Sequence, residues 1–175
     1  LKESGADLLV LEMLLDVDHS KILLSAALET GLPVWVGLSC CDSKFDNSVI
    51  GRNFRAEKEK SLIYDENKYK DQPKYLPEDK IILLEDIIKS LTSLGGDVYG
   101  IMHTWFQDSI GGLKILKNNW KGPIMFYPEI HKFDTNTHKA IITMTEEEFS
   151  NSILELIDDQ IQIVGGCCGV NDKHL

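Results

Sequence analysis

The sequence predicts an α/β protein built on a parallel sheet of the kind that closes into a (β/α)8 barrel, and three observations predict it. Short apolar runs of strand length alternate with amphipathic segments along the chain, and parallel neighbours need a crossover, which here is a helix. Chemically unusual residues recur at the carboxyl ends of those runs, namely Glu12, Ser39 and Cys40, His103, Glu129, and Cys167 with Cys168. That is the end at which a (β/α)8 barrel gathers its active site. No glycine-rich phosphate loop follows the first run, which disfavours a dinucleotide-binding sheet.

The elements follow in order. Residues 6–13, ADLLVLEM, read as a strand that stays apolar until Glu12, with Asp16 as the N-cap of a helix that runs through Leu28 and stops at Thr30-Gly31. A second strand, 33–40 (PVWVGLSC), leads into a polar segment over 41–77 rich in Lys, Asp, Asn and Tyr. That is long for a loop, so it reads as a lid, an insert without fixed structure or a functional excursion. A helix over 78–94 carries Ile81, Leu84, Ile88 and Leu91 near helical spacing and stops at Gly95-Gly96. The third strand, 98–102, ends at His103-Thr104-Trp105, and its helix runs from Asp108 to Asn119, weakened by Gly111-Gly112. The fourth, 123–127, ends at Pro128-Glu129; after a loop, Thr145 and Glu148 open a helix with capping-box spacing. The last strand is β-branched, stops on Gly165-Gly166 and delivers Cys167 and Cys168. Those glycines remove side chains where the backbone turns sharply.

A chain of 175 residues with 43% hydrophobic content fits one globular domain. A formal net charge of −10, from 18 basic and 28 acidic residues, argues against nucleic acid, whose phosphates require a clustered basic face. No apolar run approaches the roughly 20 residues of a membrane helix, and no signal segment opens the chain, so the expected location is cytoplasmic. The four cysteines stand as two vicinal pairs, and neighbouring residues do not form an unstrained bridge, which favours reduced thiols.

Two thiols at the carboxyl end of a buried strand point to a metal site. The alternative is small buried packing residues, but adjacent strand residues face opposite sides, so packing alone does not call for a pair. A dithiol redox role is weaker, since its usual motif separates the cysteines by two residues.

The segments GADLLVLEM, GLPVWVGLS, DVYGIMH, GPIMFYP and MTEEEFSNSILELIDDQIQIVGGCCGVNDKHL resemble, in order and at similar spacing, the carboxyl-terminal part of the homocysteine S-methyltransferase family. Nearly the whole chain is covered apart from 41–77, and GGCCG with Asn171 and His174 is the most distinctive piece. The resemblance implies a TIM barrel of which residues 1–175 hold strands four to eight, with 41–77 as an insert. A full barrel needs about 250 residues, and Leu1 falls inside a helix-to-strand connection without an initiator methionine. A missing N-terminal half-barrel is therefore expected to be required.

The resemblance also implies the chemistry. In the family, zinc held by three protein ligands binds homocysteine, whose thiolate takes a methyl group from an activated donor to give methionine. Two of the family's zinc cysteines carry over to Cys167 and Cys168, whereas the third, at the end of the sixth strand, is replaced by His103. Two readings of His103 stand: it takes the missing ligand position, as in known sites with two Cys and one His, or it hydrogen-bonds at the barrel mouth. As a ligand it lowers the negative charge on the metal, so the bound thiol becomes more acidic and less nucleophilic.

Glu12 corresponds to the family's glutamate for the homocysteine ammonium group; otherwise it is a solvated strand end or a contact with the next helix. Glu129 stands where the family commonly has Asn after Tyr-Pro. It reads either as a group that attracts a cationic methyl donor, with Trp105, Phe106 or Tyr127 adding cation–π contact, or as a solvated charge beside core aromatics. Cys40 and Cys41 match no ligand position, and His131 and His138 have no assigned role. The competing functional class is a truncated or degenerate family member that binds metal or thiol without catalysis.

Overall fold

Five of the apolar runs form one parallel sheet in the computed structural model, which describes residues 1–15, 17–42, 49–51, 82–134 and 139–175. The strands of this sheet are β1 (Leu9–Leu14), β2 (Val34–Leu38), β5 (Val98–Trp105), β6 (Ile124–Glu129) and β9 (Ile161–Val164). They are hydrogen-bonded in chain order, β1-β2-β5-β6-β9, so each strand lies beside its predecessor as successive βα units of a barrel do. The crossovers carry helices α1 (Val17–Leu28), α2 (Leu84–Thr92), α3 (Phe106–Asn119) and α4 (Glu146–Leu156).

The period-2 alternation of the strands divides the sheet into two faces. Val34, Val36 and Leu38 of β2, Tyr99 and Ile101 of β5, and Ile124 and Phe126 of β6 join a buried core with Leu24 of α1, Ile87 and Ile88 of α2, Leu113 of α3, and Phe149 of α4. All four helices thus cover one face. The intervening residues, among them Val10, Trp35, Gly37, Gly100, Met102, Met125 and Tyr127, belong to the other. The ring of Phe106 lies 6.2 Å from Phe126 and 5.8 Å from Phe149, edge-on to both. It is therefore a core residue of the helix side, and its expected cation–π role does not fit that position.

Two short antiparallel hairpins decorate the sheet. One pairs β3 (Cys40–Asp42) with β4 (Val49–Gly51), the other β7 (His131–Asp134) with β8 (Lys139–Ile142). The second occupies what the sequence suggests is a plain loop, and β8 is exposed throughout, so it carries no apolar alternation to betray it. The expected 41–77 insert falls largely on residues outside the described ones, as do Asp16, His138 and the first turn of the helix expected over 78–94. Thr145 caps α4 as its spacing predicts, accepting from the Glu148 backbone at 3.2 Å, while the Glu148 carboxylate accepts from the Thr145 backbone at 2.8 Å.

Gly112, which the sequence marks as a weak point of α3, has a packing reason. A Cβ there would stand 2.5 Å from Cys40 Sγ, so the glycine lets α3 lie against β3. Cys40 and Cys41 are buried, 1% and 5% exposed, in keeping with a structural role.

Candidate metal centre

Two strands break their ladders at the carboxyl end of the sheet. In β1, Leu11 pairs with Val36 and Leu14 with Leu38, so Glu12 and Met13 together stand opposite Gly37. In β5, Met102 pairs with Tyr127 and Trp105 with Glu129, so His103 and Thr104 face Pro128. Each is a bulge, with two residues against one, and Pro128 has no N–H with which to continue the ladder. Met13 and His103 take left-handed backbone, with φ of 57° and 44°, a conformation that costs an L-residue about 1–2 kcal/mol.

Buried hydroxyls hold the β5 bulge. The Met102 carbonyl accepts from Ser39 Oγ at 3.0 Å and from Thr104 Oγ1 at 2.8 Å, and Thr104 Oγ1 accepts from the Cys40 backbone at 3.0 Å. Ser39 and Thr104 are fully buried. His103, between two residues fixed in this way, is turned toward β6.

The loop after β9 continues alongside β6. Gly165 N donates to Phe126 O at 3.1 Å, Cys167 N to Pro128 O at 3.0 Å, and Ile130 N to Cys168 O at 3.0 Å. Pro128, Glu129 and Ile130 thereby run beside the cysteine pair. Gly166 is needed for the turn-back, since a Cβ there would fall 2.0 Å from Val170 Cγ1.

These three strand ends bring four donors together. One ligand atom each from His103, Glu129, Cys167 and Cys168 lies within 4.8 Å of the others. Cys167 Sγ is 3.9 Å from Cys168 Sγ and 3.6 Å from His103 Nδ1, which is 3.4 Å from Glu129 Oε2. A tetrahedral ion with bonds of about 2.3 Å to sulfur and about 2.0–2.1 Å to nitrogen or oxygen has donor edges of about 3.8 Å (S–S), about 3.6 Å (S–N) and about 3.4 Å (N–O). Three of the six donor edges therefore have the spacing of a tetrahedral metal site, and two thiols with an imidazole and a carboxylate are a donor set that can hold a metal ion. Burial, followed by the negative charges of Cys168 and Glu129 among its other neighbours, pushes the Cys167 thiol up to about 11. A cation among these groups would reverse that preference.

The sequence reasoning brings His103, Cys167 and Cys168 to this place, and the geometry joins them. It does not foresee that Glu129 sits beside His103, 5% exposed at its side chain, in the same donor group. Its one signal was position, since Glu129 follows the proline opposite the β5 bulge. Glu12 lies outside the donor group, on an exposed position of β1. Its charge nonetheless reaches the site: burial, then the negative charges of Glu12 and Cys167, push the Tyr127 phenol up to about 12. His131 lies on β7 and is not part of the donor group.

The chain is similar in fold to the metallated form of the homocysteine methyltransferase MmuM from Escherichia coli. The TM-score is 0.63 at 15% identity, with 99% of this chain and 44% of that one covered. Against the apo form of the same enzyme the TM-score is 0.42 at 14% identity, covering 99% of this chain and 78% of that one. The chain thus spans less than half the length of the metallated relative. No curated protein matches it, and no helix among the described residues is long and apolar enough to cross a membrane. The family model described as homocysteine S-methyltransferase matches residues 83–175, more than half of the chain, a stretch that includes every residue of the donor cluster. The chain belongs to the homocysteine S-methyltransferase family.

Proposed function

We propose that this chain carries the zinc-binding part of a methyltransferase that moves a methyl group from an activated donor to the thiol of homocysteine, forming methionine. The observation that carries the reading is the donor cluster, three of whose six edges, at 3.9, 3.6 and 3.4 Å, match a tetrahedral ion. Cys167 and Cys168 hold the ion as thiolates and His103 through Nδ1. Zinc supplies the positive charge that keeps a homocysteine sulfur deprotonated near neutral pH. Glu129 would supply the fourth donor in the absence of substrate, a position that an incoming thiol would take over. With that carboxylate the formal charge of the substrate-free centre would be −1 instead of zero, and once Glu129 leaves, the electron withdrawal expected from His103 in place of a cysteine would act on the bound thiol. Glu12, across the sheet mouth, pairs with the homocysteine ammonium group. Residues 1–175 act as one partial barrel, and further strands complete the pocket that reads the methyl donor.

A second reading is favoured by one specific observation. Four protein donors make a closed set, and closed zinc sites are structural whereas catalytic sites keep one position open. In that reading the chain holds metal without turnover. The test measures bound zinc, homocysteine binding and methionine formation with S-methylmethionine or betaine, on the longest natural form of the protein and on its Glu129→Gln variant. Transfer by the natural form, with homocysteine bound at least as well when Glu129 is replaced, is the expected result. Bound zinc without homocysteine binding establishes the closed site, and absence of both zinc and transfer removes the enzyme reading.

A further inference from the structure

We propose that Met102 is a positioning residue, its thioether clamping the β1 bulge that carries Glu12 to the Tyr127 hydroxyl beside the metal centre; this rests on the function proposed above. Met102 lies on the sheet face opposite the helices and is 3% exposed. Its Sδ accepts from the Met13 backbone N–H at 3.3 Å and from Tyr127 Oη at 3.2 Å. The first of these donors belongs to the β1 bulge and is partly buried, and an amide withdrawn from water needs an acceptor. Here that acceptor is a sulfur atom.

The space for the sulfur is built in. Gly37, opposite the bulge, would place a Cβ 2.3 Å from Met102 Sδ and 3.1 Å from the Leu11 carbonyl. A side chain at Gly37 would therefore expel the thioether or open the β1–β2 ladder. Met102 also works from its other end, because its carbonyl accepts from Ser39 and Thr104 and it directly precedes His103. One residue thus ties the strand end bearing the proposed ammonium partner to the strand end bearing the proposed metal ligand. Leucine would fill much the same volume at small cost but accept neither hydrogen bond.

The test uses the full chain with Met102→Leu, and Gly37→Ala as a second route to the same displacement. In metal-free protein, exchange of the Met13 amide should accelerate about tenfold in Met102→Leu. In zinc-loaded protein, bound zinc should stay the same. Homocysteine should bind about tenfold more weakly, whereas 4-mercaptobutanoate, which keeps the thiol and carboxylate but lacks the ammonium group, should change less than about twofold. Unchanged Met13 exchange overturns the proposal, and so does loss of zinc or an equal weakening of both ligands, which would mark Met102 as a packing residue only. If the wild-type chain binds zinc but neither thiol, the proposed function fails and the substrate half of this proposal falls with it, while the exchange measurement alone still decides the clamp.

Discussion

Replacing His103 by alanine and by glycine separates the metal role of its side chain from the strain of its backbone. Structural zinc binding of about 10–16 kcal/mol shared among four donors gives about 3 kcal/mol per donor, so loss of Nδ1 should weaken zinc about 150-fold. Both variants should show this loss. The backbone effect has the opposite character. At φ 44° alanine keeps the left-handed penalty of about 1–2 kcal/mol, whereas glycine escapes it and returns about 0.5–1 kcal/mol as chain entropy. Metal-free His103→Gly should therefore be the more stable by about 0.5–1 kcal/mol, or about 1–4 °C in melting temperature for a chain of this size. Competition with a chromophoric chelator measures the first quantity, and thermal melts in excess chelator measure the second. If His103→Ala held zinc within about threefold of the parent, Nδ1 would not be a ligand. Coincident metal-free melts of the two variants would refute the backbone argument instead.

Three more outcomes follow from the structure. With the Cys167 thiol raised to about 11 by burial and nearby negative charge, zinc uptake near neutral pH must release at least its proton; apparent zinc affinity should rise at least about tenfold per pH unit between pH 6.5 and 8, and a flat profile would contradict this. Gly112→Ala should destabilise the chain by about 1–2 kcal/mol, because a Cβ 2.5 Å from Cys40 Sγ costs more than the about 1 kcal/mol of helix propensity gained; denaturation of the double variant with Cys40→Ala should recover most of the loss. Thr145→Ala removes the side-chain half of the capping box while leaving the backbone amide that donates to Glu148, and should cost about 1 kcal/mol in the same assay.

Much of the fold is legible because each unit announces itself locally. The apolar runs at 98–102 and 123–127, the stop at Gly95-Gly96 and the Thr145–Glu148 spacing each need only their own neighbours to be interpreted. Strand ends were harder. β5 extends to Trp105 and α3 begins at Phe106, because backbone pairing with β6 carries the strand past His103 at the cost of a bulge, and no local pattern encodes that pairing. The hairpin of β7 and β8 was missed for a related reason: β8, Lys-Ala-Ile-Ile, lies exposed and shows no alternation. Glu129 escaped as a member of the donor cluster because sequence spacing says nothing about convergence. It meets His103 only because Pro128 stands opposite the bulge, and it meets the cysteines only because their loop pairs with β6.

The two bulges explain one another. A regular parallel ladder alternates side chains between its faces, so consecutive residues cannot both serve the mouth of the sheet. Inserting one residue re-aims the strand end, and the cost falls on Met13 and His103, the non-glycine residues with positive φ among those described. Such strain persists only when surrounding contacts over-determine it. Here those contacts meet at Met102, whose sulfur takes the Met13 amide and whose carbonyl takes the two buried hydroxyls. Straightening β5 would restore ladder bonds and relieve His103, yet it would carry Nδ1 away from Cys167 and Glu129. The sheet therefore gives up regular pairing at the edge where the donors gather, and a core rebuilt for stability alone would remove His103's left-handed turn first.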